Sequence, residues 1–405
     1  TSHPEASPGV QWRCGWEMSS ASREILLSGS IPRETAKLIS CQIAPMNSAD
    51  SFSADYAEAR AKFLKEAAQA GGDLAVYAHP ERGPTGGEIA TDVAWFGPRD
   101  AAAVLVMMSA THGVEGFCGS GAQVDFLRRG ETKRMRDGLA VMMIHAINPY
   151  GFAWLRRVTQ ENVDLNRNWI AFNGPIPANP GYEELHAAVC PPVWNDESLA
   201  AARATMYAQA GRDGMPAMVQ AVSGGQYTHP DGVYYGGREP TWSRRTLTQI
   251  YAEHLGQAGR VGILDYHTGL GPWGYGEQIA TVARTNPEFA RVQAWYGAAV
   301  TSTQDGSSSS AEVAGDGLAA APELISHAEV TTLALEIGTV RADVVMAALM
   351  ADNWLHAHGD PVGPEAPAIK AAIRDAFYGD ADDWKGMVAG QSLIACRQAM
   401  AGLVG

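Results

Sequence analysis

The 405-residue sequence predicts an α/β fold built on a largely parallel sheet. Two observations carry that prediction. Residues 102–108 and 139–147 are apolar runs of strand length with a helical stretch, 119–129, between them, and strand, helix, strand at this spacing is the rhythm of a βαβ unit. Two further strands of the same kind, beginning at Arg260 and Thr331, recur later in the chain, each followed by polar or glycine-rich residues. A strand that is apolar along its length, rather than at alternate positions, is covered on both faces.

Bulk properties bound the function. Thirty basic against 44 acidic residues give a net charge of −14, which disfavours nucleic acid or an anionic membrane as partner. No apolar run reaches the roughly 18 to 20 residues that cross a bilayer, and no basic segment followed by an apolar one opens the sequence. Neither a membrane span nor an intact signal peptide is expected. Cys14, Cys41, Cys118, Cys190 and Cys396 are odd in number, scattered, and contain no Cys-x-x-Cys pair. Thiolate metal sites and a disulfide framework are therefore not expected, and a reducing cytoplasm is the default. Cys118 reads as core filler rather than as a nucleophile.

Residues 1–45, with Gly, Ser and Pro scattered through them, read as an N-terminal extension, and residues 46–405 as the main domain. A helix is expected over 56–70, stopped by Gly71 and Gly72. Residues 74–78 and 88–96 flank a Pro- and Gly-rich turn and predict a hairpin. The strand at 102–108 then runs into Ser109-Ala110-Thr111-His112-Gly113-Val114-Glu115-Gly116. Ligands collect beyond the carboxyl ends of strands in open α/β sheets, so His112 and Glu115 could grip one cation from one short loop. That needs a third donor from elsewhere.

After the strand at 139–147, residues 154–169 hold three arginines (Arg156, Arg157, Arg167) and three asparagines (Asn162, Asn166, Asn168). Guanidinium forks and amides at this density suit a carboxylate or a developing oxyanion; by composition alone a solvated loop fits as well. Residues 173–180 read as surface, 196–209, 215–222 and 243–255 as helices, and 223–240 as a long Gly-rich connection carrying Tyr227, Tyr234 and Tyr235. The stretch from Arg260 to Gly271 repeats the earlier arrangement, a strand with a histidine at its end, and His267 supplies the missing donor. Two strand-terminal histidines and a carboxylate are the protein ligands of a catalytic zinc site with one position left open. Asp265 reads alternatively as the group that orients an imidazole.

A strand at 278–283 and a helix at 287–300 follow. Residues 305–317, rich in Ser and Gly, read as a mobile loop near or over the site, or as a linker. Within the apolar strand 331–340, Glu336 needs a partner or a task, because an unpaired buried charge is costly. Helices at 342–357, 366–378 and a last helical stretch close the chain. The remaining histidines lack this strand-end context and read as structural or surface residues.

Thr111-His112-Gly113-Val114-Glu115-Gly116, Val163-Asp164-Leu165-Asn166-Arg167-Asn168, Asp265-Tyr266-His267 and Leu335-Glu336-Ile337-Gly338, in this order, resemble the motifs of M14-type zinc carboxypeptidases, and more closely their DUF2817 branch. The resemblance runs from about Phe52 to the C-terminus. It implies one catalytic domain with a mixed, largely parallel twisted sheet and helices on both faces. It also implies Zn²⁺ on His112, Glu115 and His267, Glu336 as general base and acid, and Asn166 and Arg167 gripping a substrate carboxylate. An upstream arginine would polarise the scissile carbonyl; Arg157 is the choice, with Arg156 close behind. One departure is that the mobile tyrosine those enzymes carry before the catalytic glutamate is missing from the Ser- and Gly-rich stretch here.

The expected activity is hydrolysis of an amide bond next to a carboxylate-bearing residue, on a small peptide or, alternatively, on an N-acyl amino acid as a deacylase. A more distant alternative is a non-catalytic metal-dependent binding protein, which would have no use for Glu336. A serine hydrolase fits poorly, since Cys118 and Ala122 occupy the outer glycine positions of a nucleophile elbow around Ser120. A homo-oligomer is allowed, and nothing in the sequence sets the oligomeric state.

Overall fold

A computed structural model describes residues 46–405; the extension read over residues 1–45 lies outside the described residues, as do Cys14 and Cys41. Among the described residues eight strands form one mixed sheet: β1 (Asp73–Arg82), β2 (Glu88–Phe96), β3 (Ala103–Met108), β4 (Leu139–His145), β5 (Arg260–Thr268), β6 (Gly276–Ala280), β7 (Thr301–Ser302) and β8 (Glu329–Ile337). Their order is β1-β2-β4-β3-β5-β8-β6-β7. The four central strands β4, β3, β5 and β8 are parallel to one another, while the β1/β2 hairpin joins β4 antiparallel and β6 pairs antiparallel with β8.

Among the described residues the helices are α1 (Tyr56–Gln69), α2 (Gly116–Arg128), α3 (Pro149–Ala153), α4 (Pro180–Val189), α5 (Asp196–Asp213), α6 (Met215–Ser223), α7 (Trp242–His254), α8 (Pro287–Tyr296), α9 (Gly317–Leu324), α10 (Ala342–Ala357), α11 (Ala366–Phe377) and α12 (Asp382–Val404). Successive side chains of a strand point to opposite faces, and β3 shows what this does to the core. Leu105 and Met107 join the cluster containing Phe63 of α1, Phe117 of α2 and Trp384 of α12, whereas Val104 and Val106 join the one containing Ile250 of α7 and Leu318 of α9. Both faces are covered, which is why all six residues of β3 are buried and why the strand lacks polar alternation.

This layering also fixes where ligands can bind. From β3 the chain goes first to β4 on one side and later to β5 on the other, so the crevice beyond the carboxyl ends of β3 and β5 is a topological switch point. The turn leaving β3 is held tightly there. Gly113 and Val114 donate backbone hydrogen bonds to the carbonyls of Arg157 (3.0 Å) and Arg156 (2.8 Å). A Cβ on Gly113 would lie 2.1 Å from the carbonyl carbon of Gly151 in α3, so only glycine permits the contact. Ala110 and Ala146, just past β3 and β4, take left-handed backbone angles (φ 60° and 63°); such angles cost energy and persist where the surroundings enforce them.

Helix α2 starts at 116 rather than 119, because it continues directly from the 3₁₀ turn Gly113–Glu115. Cys118, Cys190 and Cys396 are free and buried. Among the described residues, no helix is long and apolar enough to cross a membrane.

Candidate metal centre

Three chain segments converge at the switch point. His267, the penultimate residue of β5, and Glu336, the penultimate residue of β8, are direct partners in the parallel register. On the other side of β5, β3 pairs Met108 with Asp265, and the turn beyond it brings His112 and Glu115 over the end of β5. Candidate ligand atoms of His112, Glu115 and His267 all lie within 4.8 Å of one another, and all three residues are buried.

The imidazoles are oriented by carboxylates behind them. His267 Nε2 lies 2.9 Å from Asp265 Oδ2, and Thr111 Oγ1 donates to that same carboxylate at 2.8–2.9 Å. His112 Nε2 lies 3.1 Å from Asp164 Oδ1. Both Nδ1 atoms face Glu115: His267 Nδ1 is 3.0 Å from Oε2, and His112 Nδ1 is 3.0 Å from Oε1. The latter contact lacks the angle of a hydrogen bond, and His112 Nδ1 is a buried nitrogen with no hydrogen-bond partner. An orphaned imidazole nitrogen beside a second imidazole and a carboxylate, each imidazole with a carboxylate on its far nitrogen, suits a divalent ion with N and O ligands. Asp265, which sequence left open as ligand or orienter, contacts the His267 nitrogen that faces away from Glu115.

The charges are strongly coupled. Burial alone would raise Glu115, but the His112 and His267 imidazoles outweigh it and hold its carboxyl well below the usual range. Asp164 is likewise pushed up by burial and brought well below its ordinary value by Arg157, Arg167 and His112. Burial would lower His267, and Asp265 and Glu115 instead hold it well above an ordinary histidine. Glu336 moves the other way. Burial and the neighbouring Glu115 charge push it up to about 8, while Leu270 N donates to its Oε1 at 3.0 Å.

The two adjacent arginines part company. Arg157 Nη1 donates to Glu115 Oε1 (2.9 Å) and its Nε to Asp164 Oδ2 (3.0 Å), beside the His112–Glu115–His267 cluster. Arg156 is not brought into the cavity: its Nε pairs with Asp352 Oδ2 of α10 at 3.0 Å and its Nη2 with Asn162. That ion pair, shared with Lys370, accounts for the Arg156 charge in the fold. Asn166 and Arg167 do face the cavity. Asn166 Oδ1 accepts from Gly317 N (3.2 Å), Arg167 Nη1 donates to Asn166 O (3.1 Å), and Arg167 Nε is buried with no partner.

His112, Glu115, Arg157, Asn166, Arg167, His267 and Glu336 open onto one cavity of about 590 Å³, within the roughly 300–1,000 Å³ of small-molecule sites. Segment 305–317 contributes Ser309, Ser310 and Asp316 to its wall, as expected of a loop at the site. Two participants escaped sequence reasoning. Tyr234 lies with the guanidinium carbons of Arg157 and Arg167 each 5.4 Å from its ring centroid, and has a left-handed backbone (φ 55°). Asp164 bridges His112 and Arg157, and its place directly inside the Val163–Asn168 motif was the signal that could have found it.

The chain is similar in fold to several solved structures. Carboxypeptidase A from Helicoverpa armigera aligns with a TM-score of 0.47 and 12% identity, over 95% of this chain and 82% of that one. Succinylglutamate desuccinylase from Chromobacterium violaceum aligns at 0.33 and 14% identity, over 81% and 74%. Murein-tripeptide amidase MpaA from Escherichia coli O157 aligns at 0.31 and 14% identity, over 72% and 93%. No curated protein matches the chain. The model of the family described as "Protein of unknown function (DUF2817)" matches residues 52–391, and the chain therefore belongs to the DUF2817 family.

Proposed function

We propose that this protein is a zinc-dependent hydrolase that cleaves an amide bond next to a carboxylate-bearing residue. The observation that carries the reading is the placement of one buried carboxyl, Glu336, in the same cavity as the His112–Glu115–His267 cluster and the Asn166–Arg167 pair. His112 and His267 through Nδ1, with Glu115, would hold the ion. Zn²⁺ there would supply Lewis acidity, polarising the scissile carbonyl and lowering the pKa of water toward about 7.

The chain's own residues do the rest. Glu336 takes a proton from the attacking water and delivers it to the leaving nitrogen; with Oε1 held by Leu270 N, Oε2 is the oxygen that carries it. Arg157 is aimed by Glu115 and Asp164 and donates to the developing oxyanion, a contribution commonly worth several kcal/mol. Arg167, whose Nε lacks a partner, receives the substrate carboxylate together with Asn166. Tyr234 covers both guanidinium groups from one side.

The test is metal analysis beside a rate assay on short peptides and N-acyl amino acids, with and without 1,10-phenanthroline. Glu336→Gln should keep stoichiometric zinc and lose about 10²–10⁴ in kcat, and His267→Ala should lose the metal. A fully active Glu336→Gln removes the assignment. A deacylase acting on N-acyl amino acids is the second reading, since the Asn166–Arg167 pair would hold that carboxylate equally well.

A further inference from the structure

Outside the cavity, a second group of side chains has the chemistry of metal ligands. Candidate ligand atoms of His186 on α4, and of His229 and Asp231 in the connection between α6 and α7, all lie within 4.8 Å of one another. The two imidazole rings stack, with centroids 3.7 Å and planes 15° apart. Two charged rings would repel at that distance, and burial together with the neighbouring His229 pushes His186 below an ordinary histidine. The neutral imidazole is the form that binds a metal. A pairing of His229 Nε2 with Glu183 Oε2 at 2.8 Å accounts for His229. It gives nothing to His186, whose Nδ1 is buried with no hydrogen-bond partner.

The loop carrying His229 and Asp231 is preformed, because three side-chain amides hold its backbone. Gln226 Oε1 accepts from Thr228 N (2.9 Å) and His229 N (2.8 Å). Asn162 Nδ2 donates to Pro230 O (3.0 Å) and Gly232 O (3.1 Å), and Asn353 Nδ2 donates to Asp231 O (2.9 Å). Glu183, one turn before His186 on α4, accepts from Thr228 Oγ1 through the oxygen that does not face His229. Carboxylates so placed fix the orientation of ligating imidazoles. The rings need only a turn about χ2, a torsion with a broad well, to aim one nitrogen each at a common point. The same loop closes beside the cavity. Gln226 N donates to Tyr234 O (3.1 Å) and Gly236 N to Gln226 O (2.8 Å), next to the tyrosine that lies over Arg157 and Arg167.

We propose that His186, His229 and Asp231 form a second divalent-cation site, separate from the His112–Glu115–His267 cluster, and that an ion held there clips the α6–α7 connection to α4. Two imidazoles and a carboxylate, with water completing the shell, suit Zn²⁺. Ca²⁺ and Mg²⁺, which take oxygen ligands, should not compete. Filling the site suppresses those openings of the connection that part His229 from His186, and so steadies Tyr234 over the two guanidinium groups.

The experiment titrates Zn²⁺ into the tag-free full chain and into His267→Ala, His186→Phe and Asp231→Asn by calorimetry, and follows amide hydrogen exchange over residues 226–236. His186→Phe keeps a ring on the stack, Asp231→Asn keeps the shape of an exposed side chain, and melting temperatures of the metal-free proteins check folding. The parent should bind about two Zn²⁺ per chain, and His267→Ala and His186→Phe about one each. Asp231→Asn should weaken the second ion at least about tenfold. In His267→Ala, exchange over 226–236 should slow about tenfold at free Zn²⁺ ten times the dissociation constant. Zinc uptake unchanged in both His186→Phe and Asp231→Asn overturns the second site, and uptake with unchanged exchange overturns the clip. A single ion that His267→Ala abolishes overturns this proposal and leaves the hydrolase reading standing. A single ion that His267→Ala keeps and His186→Phe loses supports this site and sinks the metal centre of the hydrolase reading. No uptake at all sinks both.

Discussion

Substituting Asp265 by asparagine isolates the orienting group from the ligands. The carboxylate is 1% exposed, 2.9 Å from His267 Nε2, and fixed by Thr111 Oγ1, which donates to both oxygens. Asparagine keeps its shape, and the Thr111 hydroxyl can turn to accept from the new amide, so the fold should survive. What is lost is charge. Hydrogen bonds to charged groups contribute about 1.5–3 kcal/mol net and neutral ones about 0.5–1.5, so the imidazole loses about 1–2 kcal/mol of orientation. Metal affinity should fall about 5- to 30-fold, overlapping the tenfold to hundredfold typical of such partners. The assay is chelator competition for Zn²⁺ at pH 7, with the melting temperature of the metal-free protein as control for folding. An Asp265→Asn affinity within twofold of the parent would refute the orienting role.

Three further outcomes are expected. Arg167→Ala should raise KM for carboxylate-bearing substrates about 10- to 100-fold with kcat little changed, and steady-state kinetics showing an unaltered KM would remove the anchor. Gly113→Ala places a methyl group 2.1 Å from Gly151 C and should cost about 3 kcal/mol or more in urea unfolding; a loss below about 1 kcal/mol would mean that the turn relaxes freely. Burial, with a nearby arginine adding to it, pushes both His145 and His356 down to about 3. Because these folded values lie below the unfolded value near 6.5, the unfolded chain binds the protons first. The neutral histidines' stabilisation is complete above pH 6.5 and is lost as pH falls toward 3, at up to about 1.4 kcal/mol per pH unit for each group. Denaturation at several pH values should show this slope, less steep in His145→Gln; equal slopes would contradict it.

Legibility in the sequence followed the length and uniformity of each signal. Helix α10 is expected and found over the same residues, 342–357, and the buried strands carrying His267 and Glu336 stand out because an apolar run isolates their polar residue. Short or interrupted elements were missed. Strand β7 has two residues, and α9 follows the Ser-rich segment and carries Pro322 inside it. Helix α4 begins at Pro180, where the sequence reads as surface. The strand pairings of β6 depend on partners far along the chain and leave no local periodicity. At the site, the His112–Glu115–His267 cluster was legible because His267 ends a buried strand and His112 and Glu115 lie in the turn that leaves another. Which of Arg156 and Arg157 enters the cavity was not, because adjacent residues of like type differ only in what surrounds them: here Asp352 and Lys370 on one side, Glu115 and Asp164 on the other. Tyr234 was invisible as a participant because a left-handed tyrosine in a Gly-rich connection has no sequence signature.

His267 and Glu336 occupy one rung of the β5/β8 ladder, and neighbouring parallel strands are about 4.8 Å apart. Their separation is thus set by backbone pairing in the middle of the sheet, out of reach of any rearrangement of 305–317 or of α5 and α6. Helices and loops around the rung can be exchanged without retuning the spacing of His267 and Glu336. On the proposed hydrolase reading, diversification of what the scaffold accepts is then uncoupled from the preservation of how it reacts.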